Sequence, residues 1–171
     1  MITTSVIICM TVFSINMKNA DIICDNAHII EEMSKTYDLD PSLIIAVGRI
    51  ESAWTPTAKS PANACGIMQV LPKYSKKFGN KGRNLTCDEL KDPETAIRVG
   101  SKILSYWLHK YAKGNETTAL CGYNAGFRCK GDNKNKQGLK YAKAVLKYRK
   151  YFKRKMRIQK RKYKNEMFAN H

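Results

Sequence analysis

The sequence predicts a mainly α fold, and three observations carry that reading. Apolar residues recur at three- and four-residue steps along most of the chain. Asp40-Pro41 and Asp92-Pro93 each join a good N-cap to a residue tolerated at the first helical position. No stretch alternates like a strand, apart from a short one around residues 66–70, which is expected to form a small irregular or β-like turn region.

The elements follow in order. Residues 1–20 read as a candidate signal peptide, because VIICMTVFSI at positions 6–15 has the length of its apolar region. Against this, no Lys or Arg precedes that run. The best cleavage point, after Ala20, has Lys18 three residues back, and Met17 before Lys18 is an alternative start. A first helix is expected over 21–37, with Ile23, Ala27, Ile30, Met33 and Tyr37 on one face. A second opens at Asp40-Pro41 and ends near Glu51, ahead of a loop bracketed by Pro56 and Pro61. A third runs from Asp92-Pro93 to about Tyr111, where Lys113-Gly114-Asn115 stops it. Its Trp107 is expected in the core. A short helix over 117–123, a polar loop at 131–138 and a last helix over 139–154 complete one domain spanning 21–154. Residues 155–171 form a basic tail, expected to be mobile because it holds too few apolar residues to pack.

The formal net charge is +17, and residues 140–171 carry thirteen Lys or Arg against one acid, Glu166. Such a field favours polyanions or an anionic membrane surface as partners of the tail. No zinc-finger, RNA-recognition or leucine-zipper pattern accompanies it, so no specific nucleic-acid partner is expected. No apolar run reaches the roughly 18–20 residues of a membrane helix. Cysteines stand at 9, 24, 65, 87, 121 and 129, without CxxC spacing. That spacing argues against zinc, leaves pairing open, and with three scattered histidines gives no metal or cofactor.

Glu51 closes an apolar helix and is followed by Ser52, Trp54 and a proline loop. The negative end of the helix dipole and apolar neighbours both disfavour a carboxylate there and raise its pKa. A raised pKa lets a carboxylic acid protonate a leaving oxygen near neutral pH. Trp54 is expected to shield this residue or line a cleft beside it.

Further motifs follow Glu51-Ser52 in order. They are Ser60-Pro61-Ala62-Asn63-Ala64-Cys65, Gly66-Ile67-Met68-Gln69, Tyr123-Asn124-Ala125-Gly126 and Tyr141-Ala142. This ordered set resembles the soluble lytic transglycosylase (SLT) family, over about residues 22–151. Asn63 stands where the family usually has Gly, Ile67 replaces Leu, and Leu120-Cys121-Gly122 replaces an alanine-rich stretch.

The resemblance implies a lysozyme-like, goose-type or SLT, single domain that cleaves peptidoglycan. It implies Glu51 as catalytic acid and base, forming a 1,6-anhydro product at N-acetylmuramic acid. It further implies Ser60, Met68, Gln69, Tyr123, Asn124 and Tyr141 as substrate-binding residues, and puts Cys121 near the site. Two alternatives stand beside this reading: a muramidase that uses water, and a non-catalytic envelope protein that binds polyanions or peptidoglycan. The setting is expected to be the periplasm or cell envelope, with an envelope-spanning assembly or a virion as the other contexts.

Overall fold

The computed structural model describes residues 2–78, 82–130 and 135–169, and its named elements among these are all helical. Helix α1 (Thr4–Ser14) starts where the Thr3 hydroxyl accepts a hydrogen bond from the Val6 amide. Its Ile8 and Val12 are fully buried, and Cys9 is joined to Cys24. The expected helix over 21–37 is two helices, α2 (Ala20–Asp25) and α3 (Ala27–Tyr37). The break falls at Asn26, whose side-chain amide donates to the Ile22 carbonyl and so competes with the helical ladder.

Helix α4 (Pro41–Ser52) begins at the Asp40 cap and is buried continuously from Ser42 to Gly48. It is the central element, packed against α3 and α8. A loop with a 3-10 turn at Pro72–Lys77 leads to α5 (Cys87–Lys91). Helix α5, which the sequence reading did not anticipate, starts at a capping box in which Thr86 and Glu89 bond reciprocally. Helix α6 (Pro93–Ser105) widens into a π-helical segment (Tyr106–Tyr111), so the expected single helix over 92–111 changes its winding partway. Trp107 is half-buried there, at the edge of the core where it was expected: it packs closely over Gly122 and edge-on against Tyr106 and Tyr111. Helix α7 (Glu116–Ala125) follows.

Positions 131–134 of the expected polar loop lie outside the described residues. Helix α8 then runs from Lys136 to Ala169 without a break, beyond the end expected near Arg154. After Gly138 it contains no Gly or Pro, and Lys, Arg, Met and Gln are good helix formers, so nothing stops it. The stretch expected to be mobile is therefore helical through residue 169.

Asp40 anchors α8 to the start of α4 through Arg149 at 3.1 Å and through Lys153, while Arg149 also pairs with Glu116 of α7. Burial works against the Asp40 charge. Hydrogen bonds from Lys153, Ser42 and Arg149 outweigh it and hold the carboxyl well below its ordinary range. The stretch around 66–70 forms isolated antiparallel bridges, Lys59 to Cys65 and Cys65 to Val70, with no named strand among the described residues.

Candidate active site

Glu51 sits on the last turn of α4, and the chain leaves that turn sharply. Ala53 (φ 52°) and Trp54 (φ 62°) both adopt the left-handed conformation, which is uncommon for residues with a Cβ. The surroundings hold them there. The Asn19 side-chain amide donates to the Ala53 carbonyl at 3.0 Å and the Trp54 carbonyl at 3.1 Å. The Trp54 indole is fully buried and donates to the Ile45 carbonyl. It lies over Gly48, where a Cβ would come within 2.8 Å of the ring. Trp54 therefore braces the helix from within and does not line a cleft, contrary to one of its expected placements.

The turn at 66–69 faces this helix end. The Ser52 hydroxyl donates to the Ile67 carbonyl at 2.8 Å and accepts from the Thr55 amide, locking the two segments together. Gly66 takes φ 74°, and a Cβ there would lie 1.8 Å from the Leu90 carbonyl oxygen, so only glycine fits. Cys65, joined to Cys87, ties the same turn to α5.

The implied site residues divide on inspection. Tyr141 of α8 donates to Glu51 Oε1 at 2.6 Å, a direct link across 90 residues of sequence. Tyr123 of α7 donates to the Met68 carbonyl at 2.8 Å and feels the Glu51 charge. Met68 itself is fully buried against Gly100, where a Cβ would lie 2.5 Å from the sulfur. Its thioether is thus part of the core and offers no face to a ligand. Its backbone carbonyl is what it contributes. Gln69 spends its amide N–H groups on the Ala58 and Gly66 carbonyls, shaping the turn. Ser60 accepts from the Ala64 amide and closes its own loop. Asn124 is exposed at the end of α7. Cys121 is buried and joined to Cys129, so it braces the end of α7 and is not a free thiol.

The electrostatics single out one group. Burial pushes the Glu51 carboxyl up to about 7, even though the Tyr141 hydrogen bond pulls it down. Burial and the nearby Glu51 charge push both tyrosines well above the ordinary phenol range, so they remain donors. Glu51 keeps part of its surface open. A half-protonated, reachable carboxyl at neutral pH, with a phenol fixed on one oxygen, can give and take a proton in turn.

Sequence reasoning missed Asn19 and all the disulfide pairs. Asn19 fell inside the candidate leader, and cysteine pairing depends on distances that spacing does not reveal.

Comparison with known proteins gives a consistent result. The family model for the Transglycosylase SLT domain matches residues 28–146. The soluble lytic murein transglycosylase of Escherichia coli K12 is 36% identical over 93 residues, covering 52% of this chain and 14% of that protein. Membrane-bound lytic murein transglycosylase C of Glaesserella parasuis is 33% identical over 108 residues, covering 57% of this chain and 30% of that protein. The chain thus spans less than a third of these relatives. Among solved structures, an inactive mutant of the lytic transglycosylase Slt from Pseudomonas aeruginosa superposes with a TM-score of 0.67 at 22% identity. It covers 87% of this chain and 30% of the other. A complex of the 70-kDa soluble lytic transglycosylase with bulgecin A gives 0.63 at 24% identity over the same shares. The fold expectation, mainly α and lysozyme-like, is met.

Proposed function

Because the chain belongs to the Transglycosylase SLT domain family, we propose that it is a peptidoglycan lytic transglycosylase that uses Glu51 as its single acid and base. The observation that carries this reading is the Glu51–Tyr141 pair: a carboxyl held near pH 7 with a phenol on one oxygen. Glu51 donates its proton to the glycosidic oxygen between N-acetylmuramic acid and N-acetylglucosamine, and the bond from that oxygen to the muramic C1 breaks. The resulting carboxylate takes the proton of the muramic C6 hydroxyl. The C6 oxygen then bonds to C1, closing a 1,6-anhydro ring and returning Glu51 to its protonated form. No water is consumed. The nucleophile is already tethered to the electrophile, which supplies the proximity a bimolecular attack lacks.

Burial alone raises the Glu51 carboxyl, against the pull of Tyr141 and with no second carboxylate contributing, which supports a one-acid route. Hydrolysis ordinarily uses two carboxyls at a set separation. Tyr123, Asn124 and Gln69 border the groove on this reading, and Ser60 shapes its loop. The three disulfides support a setting in an oxidising compartment, the periplasm or cell envelope. Incubation with purified peptidoglycan and mass spectrometry of the soluble muropeptides tests the reaction. Products one water lighter than reducing muropeptides are expected, and Glu51→Gln abolishes them. Ordinary reducing ends would instead make the protein a muramidase.

A further inference from the structure

Helix α8 carries a line of cations that the proposed chemistry does not use. From Lys143 the line passes through Lys147, Lys150, Arg154, Arg157 and Arg161 to Lys164, at alternating steps of four and three. That period keeps all seven on one side of a helix and spreads them over about 32 Å, one every ~5 Å. All seven are exposed. None is within ion-pair distance of an acid among the described residues. The α8 cations that do pair, Arg149 and Lys153, lie off the line and reach Asp40 and Glu116. Glu166, the one acid of the helix beyond residue 139, falls on the far side at about 100° per residue. At its N-terminal end the line enters a groove of about 500 Å³ formed by Thr117, Leu139, Lys143, Leu146, Lys147 and Lys150.

The line points away from the catalytic groove. Tyr141, which holds Glu51, lies roughly half a turn around the helix from it, on the side of buried Val145 and Phe152. A ligand along the line therefore leaves the groove open. The spacing selects among polyanions. Stem peptides radiate from successive disaccharides in different directions, so their carboxylates do not make a line. A membrane would need a continuous apolar stripe along the cations, but the apolar residues beside them stand singly, Leu146 on one flank and Tyr151 and Ile158 on the other, and Phe152, Met156 and Tyr163 lie on the opposite side. A single flexible chain with one charge per short repeat matches.

We propose that this face of α8 binds a linear polyol-phosphate polymer of the cell envelope, tethering the enzyme to the wall while Glu51 works on the glycan. The choice of polymer rests on the proposed envelope function; the cation line does not. Release of bound counterions makes such binding steeply salt-dependent.

The test uses the full chain and fluorescently labelled poly(glycerol phosphate), with affinity read by anisotropy over a salt series. Arg154→Gln, Arg157→Gln and Arg161→Gln combined should weaken binding at least about tenfold and flatten the salt slope by roughly two. Lys155→Gln, Lys160→Gln and Lys162→Gln combined remove the same charge off the line and should have a much smaller effect. Equal loss in the two triple variants, or none in the first, overturns the proposal. So does equal or tighter binding of single-stranded DNA or of phosphatidylglycerol vesicles. The first triple variant should still release muropeptides from polymer-free peptidoglycan at the wild-type rate, and Glu51→Gln should still bind the polymer. Absent cleavage with intact polymer binding would defeat the proposed function alone. Intact cleavage without polymer binding would defeat this inference alone.

Discussion

Tyr141→Phe tests the electrostatic core of the mechanism. On the proposed mechanism Glu51 must be protonated to donate to the leaving oxygen, so wild-type activity should fall as pH rises through about 7. Tyr141 donates to the carboxylate at 2.6 Å and stabilises its charged form. A hydrogen bond to a charged group contributes about 1.5–3 kcal/mol, and each pKa unit is 1.36 kcal/mol. Removing the hydroxyl should therefore move the alkaline limb up by about one to two units, towards pH 8–9. The maximal rate should fall at the same time, because the carboxylate that acts as base loses its support. The assay is muropeptide release under kcat/KM conditions across pH, which reports the free enzyme's ionisations. Tyr123→Phe is the control, since that hydroxyl donates to Met68 and not to Glu51; its limb should stay near the wild-type position. A Tyr141→Phe limb that stays put, or moves down, would refute the assignment of Glu51 as the titrating acid.

Other expectations follow from the same geometry. Glu51→Gln should stabilise the fold in alkaline buffer. The folded carboxyl titrates at about 7 against an ordinary 4.5, so the wild type loses stability between those values as pH rises, by up to about 3 kcal/mol; thermal melts at acid and alkaline pH should show the variant's advantage only at the higher pH. Asp40→Asn keeps a capping side chain but leaves Lys153 without its acid and Arg149 with Glu116 alone, and should cost about 1–3 kcal/mol at neutral pH. Because the Asp40 carboxyl titrates below its ordinary range, this difference should shrink as pH falls through that range, and denaturant titrations at acid and neutral pH would show it. Asn19→Ala leaves the Ala53 and Trp54 carbonyls without their donor and should lower the cleavage rate more than it raises KM; steady-state kinetics on soluble glycan chains separate the two. Dithiothreitol should lower the melting temperature, since opening the Cys65–Cys87 loop alone returns about 3 kcal/mol of chain entropy to the unfolded state.

The parts of this architecture legible in the sequence are those that local chemistry decides. Asp40-Pro41 and Asp92-Pro93 each open a helix because the cap and the missing amide act within one turn. The helix that ends at Glu51 was legible for the same local reason, whereas the proposal of Glu51 as the acid drew on an ordered set of motifs running on to Tyr141-Ala142. What long-range packing decides was not legible. Met68 reads equally as a groove residue or as core, and only the approach of Gly100 from α6 settles it as core. The break at Asn26 depends on a side chain competing with the ladder, which periodicity does not register. The continuation of α8 past Arg154 reversed an inference from composition. Few apolar residues prevent burial but do not prevent helix formation once thirteen Lys and Arg supply high intrinsic propensity.

The N-terminal segment, a candidate leader by its sequence, is packed into the rest of the folded chain. An apolar run of this length reads as a leader because nothing local says what it packs against. In the folded chain, α1 places Ile8 and Val12 in the core and lies against α2, α3 and α8. Asn19 holds two carbonyls immediately after Glu51 in a strained turn. Removal of residues 1–20 would take away that clamp, uncover the core beneath α1 and leave Cys24 without Cys9. The helix end that carries Glu51 is thus held from three directions: Asn19 behind it, the Ser52–Ile67 lock beside it and Tyr141 across from it. Two of these three lie outside the stretch that carries the recognisable motifs around Glu51. On the proposed mechanism the motif around Glu51 supplies the acid, while Tyr141, distant in the chain, holds one of its oxygens.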